Sequence, residues 1–112
     1  MKEMVIIIRP EKLEKVKQIM DHEKLGGISI SSVMGCGTQR GVEETGVQSA
    51  VSANLLPKIR VQIVLEDEKV EDIIARIRDE VATGHVGDGK IFVRDVEDAV
   101  RIRTGEHGNR AL

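Results

Sequence analysis

The sequence predicts an α+β sandwich, one antiparallel sheet covered on one face by two helices. Two stretches, "IIIRPEKLEKVKQIM" and "IVLEDEKVEDIIARI", each run from an apolar strand through an acidic turn into an amphipathic helix. Each is followed by a Gly-bearing loop and another strand, so the chain reads as two successive β-α-β units. A length of 112 residues sets one domain over 1–112, small enough that oligomerisation would help it bury surface.

Met4 to Ile8 is an apolar run rich in β-branched residues, the mark of a strand buried on both faces or at a subunit contact. Arg9-Pro10 ends it, and Pro10 suits a helix start because the first turn leaves its N–H position unpaired anyway. From Glu11 to His22, Leu13, Val16, Ile19 and Met20 fall on one helical face, and Gly26-Gly27 is the expected stop. Ile28 to Val33 then alternates as a half-buried strand. A polar, small-residue stretch follows from Thr38 to about Asn54, longer than the roughly 12–15 residues of an ordinary connection and therefore a candidate working surface.

Ile59 to Leu65 alternates again. Glu66-Asp67 offers an N-cap for a helix with Val70, Ile73, Ile74, Ile77 and Val81 on one face. Ile91 to Val93 reads as a short strand and Ala99 to Arg103 as a last one, while Thr104 to Leu112 is a polar tail expected to fray. The order is that of a ferredoxin-like βαββαβ sandwich, and apolar residues on both strand faces predict self-association through the open face, most simply as a cyclic oligomer.

Composition excludes several function classes. No apolar run approaches the roughly 20 residues that span a bilayer, and the N-terminus shows no basic stretch or small-residue cleavage site, which predicts a cytoplasmic protein without membrane insertion. One cysteine, Cys36, allows no internal disulfide. A net charge of -2 and a single aromatic residue, Phe92, argue against nucleic acid, which needs clustered cations and stacking platforms.

Chemistry concentrates in "TGHVGDGKIF". Gly84-x-x-x-x-Gly89-Lys90 is most of a phosphate-loop pattern, but Ile91 stands where Ser or Thr would hold Mg²⁺. The glycines also lead out of a helix into a strand, the reverse of a true P-loop. Two readings stay open: backbone N–H groups and Lys90 converging on an anion, or a helix C-cap at Gly84 followed by a plain turn. Arg101 and Arg103, two apart on the expected last strand, would leave one face together and converge on a polyanion or form a solvated stripe. Gly35-Cys36-Gly37 with Gln39 reads as a second backbone-approach loop or a hinge, and Lys58 as a carboxylate partner or a surface lysine.

"TGHVGDGKIFV", "VRIRTGE", "IIIRPEKL" and "GCGTQRG…LLPKIRVQIVL" resemble the PII nitrogen-regulatory proteins along nearly the whole chain. The resemblance implies a ferredoxin-like trimer with nucleotide sites between subunits and a long mobile loop between the second and third strands. That T-loop would span about 37–56, the B-loop about 82–90 and the C-loop about 102–112. Gly87, Asp88, Gly89 and Lys90 would surround the phosphates of ATP or ADP, with Arg101 and Arg103 reaching them from the neighbouring subunit. Ile7, Ser29, Gly35, Gly37, Thr38 and Val64 would line the rest of the pocket. Gln39 would ligate a Mg²⁺ shared by ATP and 2-oxoglutarate, and Gly41 and Lys58 would help hold the acid, a set of oxygen ligands and a counter-cation that suits this hard ion. The implied function is a sensor of nitrogen, carbon and energy state that controls a target protein through the T-loop.

Departures from the family pattern narrow the target. Val51 stands at the usual T-loop tyrosine and Val47 at the arginine that plugs ammonium channels, so tyrosine modification is not available and transporter blockage is in doubt. Ser49 falls where some relatives are phosphorylated, Thr38 replaces a common Arg and Gln62 a common Glu. A T-loop of this kind resembles the nitrogenase-associated branch, whose members switch nitrogenase off and pair with a second PII-type subunit, so a hetero-oligomer stands beside the homotrimer. The alternatives are a regulator of an ammonium transporter or of another nitrogen-metabolism enzyme, and, in the enzyme class, a small nucleotide or acyl-phosphate hydrolase. Against catalysis, His22, His85 and His107 have no partners at nucleophile-and-base spacing.

Overall fold

The computed structural model describes residues 1–36 and 55–112. Lys2–Ile8 forms β1, Leu13–His22 α1, Ser29–Cys36 β2, Leu55–Leu65 β3, Asp67–Glu80 α2 and Lys90–Asp95 β4. Short 3-10 turns at Pro10–Lys12 and Gly108–Ala111 complete the order. The four strands lie antiparallel in the order β2-β3-β1-β4, which is the ferredoxin-like sandwich anticipated from the repeated units. Among the described residues no helix is long and apolar enough to cross a membrane.

Strand alternation sorts the sheet into two faces. Met4, Ile6 and Ile8 of β1 and Val61, Ile63 and Leu65 of β3 turn toward the helices and are buried. Val16, Ile19 and Met20 of α1 and Val70, Ile73 and Ile77 of α2 close over them, with Leu13 and Ile74 packed at the margin, so the helical periodicity identified the core faces. Each fully buried side chain of this kind contributes on the order of 1.5–3 kcal/mol, which makes the β1–β3 and helix contact the stabilising centre.

The opposite face is mixed rather than uniformly apolar. Val5 is buried and Phe92 beside it is half exposed, but Glu3, only 8% exposed, sits on the same face. Arg94 and the amide of Gln62 donate to its carboxylate, and Arg60 donates to the Gln62 carbonyl at 2.9 Å. Arg94, ahead of the smaller help from Gln62, holds the Glu3 carboxyl below its usual range.

Several expected boundaries shift. The hairpin arms are longer than alternation suggested, because Val33 to Cys36 pair with Lys58 to Leu55 beyond the end of β1. Pro57 is tolerated there since that part of β3 has a neighbour on one side only. The α1 helix ends at His22, before Gly26-Gly27. Lys24 takes the left-handed conformation (φ 59°) and the Leu25 N–H reaches back to the Met20 carbonyl at 2.8 Å. Neither Glu66 nor Asp67 caps α2 with its side chain; the Asp67 carboxylate instead accepts from the Met1 amino group.

The last segment is a correction of a different kind. Ala99 to Arg103 is no strand: only Val100 bridges to His107, and residues 102–104 turn. The tail does not fray but folds back, with Gly108 N–H on the Ala99 carbonyl at 2.9 Å and Arg101 N–H on the Glu106 carbonyl at 2.9 Å. Asp98 collects the N–H groups of Ala99 and Gly108 and the His107 ring, so local hydrogen bonds outweigh the chain entropy that would free a polar tail.

Candidate functional site

The turn Thr83–Lys90 joins α2 to β4, and its glycines are used for backbone shape. Helix α2 ends at Glu80 with Val81 at its C-cap, so Gly84 (φ 84°) is a turn residue and not the helix cap. Gly87 and Gly89 also hold positive φ, at 100° and 105°. At Gly89 nothing else fits: an added Cβ would stand 1.7 Å from the Ile7 carbonyl oxygen. The turn is thereby pressed against the end of β1, where Ile7 pairs with Lys90.

Asp88 does not aim its carboxylate outward at a ligand. It accepts the Thr83 hydroxyl at 2.6 Å and the N–H groups of Thr83 and Gly84 at 2.8 and 2.9 Å, and it pairs with the Arg9 guanidinium. The Thr83 hydroxyl leads, followed by those two N–H groups and Arg9, in holding the Asp88 carboxyl far below the usual carboxylate range despite partial desolvation. Four donors already occupy the oxygens of Asp88, so its side chain shapes the turn.

Lys58 joins the same group from β3. Its Nζ donates to the Gly87 carbonyl at 2.8 Å. Gly35, on β2, lies against the Lys58 stem, with a hypothetical Cβ 2.9 Å from Lys58 Cγ, so a bare backbone there leaves the lysine room. Ile7, Gly35, Lys58, Gly87, Asp88, Gly89 and Lys90 thus meet at one end of the sheet. A cavity of about 390 Å³ opens beside them between β1, α2 and the turn, with Ile74, Ile77 and Arg78 among its walls.

The remaining pocket candidates lie elsewhere in the chain. Ser29 pairs with Gln62 at the far end of β2, six residues from Gly35, which is roughly 20 Å along a strand. Val64 lines a second cavity of about 520 Å³ together with Lys24 to Gly27, Lys69 and the C-terminal residues Asn109, Ala111 and Leu112. Arg101 and Arg103 do not leave one strand face, because the chain turns at 102–104. The Arg101 guanidinium pairs with Glu106 at 3.0 Å and donates to the Leu112 carbonyl at 3.1 Å, while Arg103 is exposed. Gly37, Thr38, Gln39 and Gly41, with Val47, Ser49 and Val51, lie outside the described residues. Among the described residues, a single chain therefore gathers Ile7, Gly35, Lys58 and Gly87 to Lys90 and leaves Ser29, Val64, Arg101 and Arg103 in other places.

Two contributors escaped the sequence reading. Arg9 appears there only as the end of a strand, and Thr83 only as the start of a glycine-rich stretch, yet they supply three of the four donors of the Asp88 clasp. Their pairing spans 79 positions in the Arg9 case, and no local pattern carries such a signal.

Comparison with known proteins places this geometry in a family. The model for the family described as "Nitrogen regulatory protein P-II" matches residues 1–106. The chain is 44% identical to Nitrogen regulatory protein P-II 2 of Methanothermobacter thermautotrophicus over 112 residues, all of this chain and 97% of that protein. It is 45% identical to Nitrogen regulatory protein P-II 1 of the same organism, with the same coverage. Against Nitrogen regulatory protein P-II of Rhizobium meliloti it is 43% identical over the full length of both chains. With the sheet order, the glycine turn and the full-length similarity in agreement, the chain belongs to the nitrogen regulatory protein P-II family.

Proposed function

We propose that this chain is a non-enzymatic sensor in which ATP or ADP and 2-oxoglutarate set the conformation of the segment 37–56, and that segment binds or releases a target protein. The observation that carries the reading is the convergence of Gly87, Gly89, Lys90 and Lys58 at one sheet end. Glycines at positive φ bring backbone N–H groups within reach of an anion, and two lysines add positive charge to the same place. Neither the Gly87 nor the Gly89 N–H has a backbone acceptor among the turn and loop bonds of the described residues, so the donor set suits phosphate oxygens.

Separation of the two halves of the site within one chain supports a cleft between copies. Lys90 and its neighbours would come from one subunit and Arg101 and Arg103 from the next, in a homotrimer closed through the mixed open face. Mg²⁺ would supply a shared hard-cation centre for the nucleotide and the acid, with Gln39 as its protein ligand and Gly41 and Lys58 on the acid. Ile7, Ser29, Gly35, Gly37, Thr38 and Val64 would line the remainder of the nucleotide pocket. Among targets, Val47 and Val51 weigh against blockage of an ammonium transporter, and nitrogenase switch-off stands beside control of another nitrogen-metabolism enzyme.

Calorimetry tests the sensor. ATP should bind at micromolar to low millimolar concentration, and 2-oxoglutarate only when Mg-ATP is present; absence of ATP binding sinks the reading. Light scattering of the chain alone should give three copies, and co-purification with a second PII-type chain would replace the homotrimer by a hetero-oligomer. Steady ATP turnover that disappears in Lys90→Ala would instead establish a hydrolase.

A further inference from the structure

Arg9 leaves the end of β1 and spreads its guanidinium across the turn. Nη1 donates to the Asp88 carboxylate and to Thr83 Oγ1 at 3.2 Å, and Nη2 donates to the Val86 carbonyl at 2.7 Å. Three acceptors from residues 83–88 thus share one planar group, whose side chain is only 21% exposed. A lysine presents its donors from a single point and cannot span them in this way.

Two consequences follow from the geometry. A trans peptide points its carbonyl and the next N–H in opposite directions, so holding the Val86 carbonyl toward Arg9 turns the Gly87 N–H away from it. An unscreened Asp88 carboxylate would also repel an anion at the turn, and Arg9 places a compensating charge directly on it. Using Arg9 itself as the anion ligand would leave that carboxylate uncompensated and the Val86 carbonyl unheld.

We propose that Arg9 is a positioning residue, orienting the Gly87 amide and screening Asp88 so that the turn accepts a ligand of phosphate chemistry. This rests on the reading that the turn receives the nucleotide phosphates. Lys58 grips the adjoining Gly87 carbonyl, so consecutive carbonyls of the turn are held by cations from two different strands.

The test is ATP titration, without 2-oxoglutarate, of the wild-type protein and of Arg9→Met and Arg9→Lys, alongside amide NMR spectra of the free proteins. Arg9→Met should bind ATP about tenfold or more weakly and Arg9→Lys to an intermediate degree, as one charge-assisted network is lost in full or in part. Gly87 and Gly89 amide signals should move in both variants while those of β1 and β3 core residues stay in place. Guanidinium ion at a non-denaturing concentration should restore part of the affinity of Arg9→Ala, which a purely structural loss would not allow. ATP binding unchanged in Arg9→Met overturns the inference and leaves the nucleotide reading standing. Failure of the wild-type protein to bind ATP overturns that reading first. If Arg9→Met does not fold, Arg9→Lys decides: wild-type affinity together with unmoved Gly87 and Gly89 signals overturns the inference.

Discussion

Two turns of this molecule are organised round an aspartate, and they draw the rest of their clasp from different places. Asp88 takes two backbone N–H groups and a hydroxyl from its own turn, then a guanidinium from the end of β1. Asp98 takes two backbone N–H groups, from Ala99 and Gly108, and a ring nitrogen from His107, all within its own segment. Asp88 and Arg9 are about three-quarters buried, whereas Asp98 and His107 are half exposed or more. A clasp tied to the sheet holds the turn in register with the fold; a local clasp only shapes the chain that carries it.

The glycines of the two turns break or sustain that contrast most directly. Gly89→Ala should be the most damaging change, costing about 3 kcal/mol or more in urea unfolding, because the new methyl meets the Ile7 carbonyl and φ is positive. Gly105→Ala, at φ 74° with open space around it, should cost only about 1–2 kcal/mol from the left-handed conformation. Equal losses for the two would deny that the first turn is pressed onto β1.

Asp88→Asn should come next, lowering the melting temperature more than Asp98→Asn does. The former exposes a tertiary guanidinium contact and the latter only a segment that unfolds locally at little cost. A reversed order would make the C-terminal clasp the structural one.

Acid titration should resolve the smallest effect. Both carboxyls are held below their usual range, Asp88 chiefly by the Thr83 hydroxyl and Asp98 chiefly by His107, with Asp88 displaced the further. A depressed folded-state value means stabilisation that is complete above the unfolded value, near 4, and lost only as pH falls below it. On lowering the pH from about 5 downward, the Ala99 and Gly108 amides should therefore move in NMR spectra before those of Thr83 and Gly84. Simultaneous movement would erase the distinction between the two aspartates.

Legibility in the sequence followed the range of each interaction. Val16, Ile19 and Met20, and Val70, Ile73 and Ile77, could be assigned to the core because helical spacing is a local property. Gly84 to Lys90 could be marked as an anion candidate because glycine clustering is local too. Asp88 was grouped with the phosphate surroundings by position, and its actual partners could not be read, because Arg9 looks like any strand-ending arginine. The arginines at 101 and 103 suggested a strand by alternation, and the pattern misled because Asp98, Gly105 and Gly108 allow a compact turn of the same length.

By itself, then, the sequence determined the order of four strands and two helices, the helix-facing core and the place of the glycine-rich turn, since each depends on residues a few positions apart. Tertiary structure alone decided that Arg9 and Lys58 hold successive carbonyls of that turn, that Gly89 has no room for a side chain, and that the C-terminal segment closes on Asp98. Those contacts depend on where the strand pairing β1 with β3 and β4 brings distant side chains and carbonyls, and periodicity carries no record of that meeting.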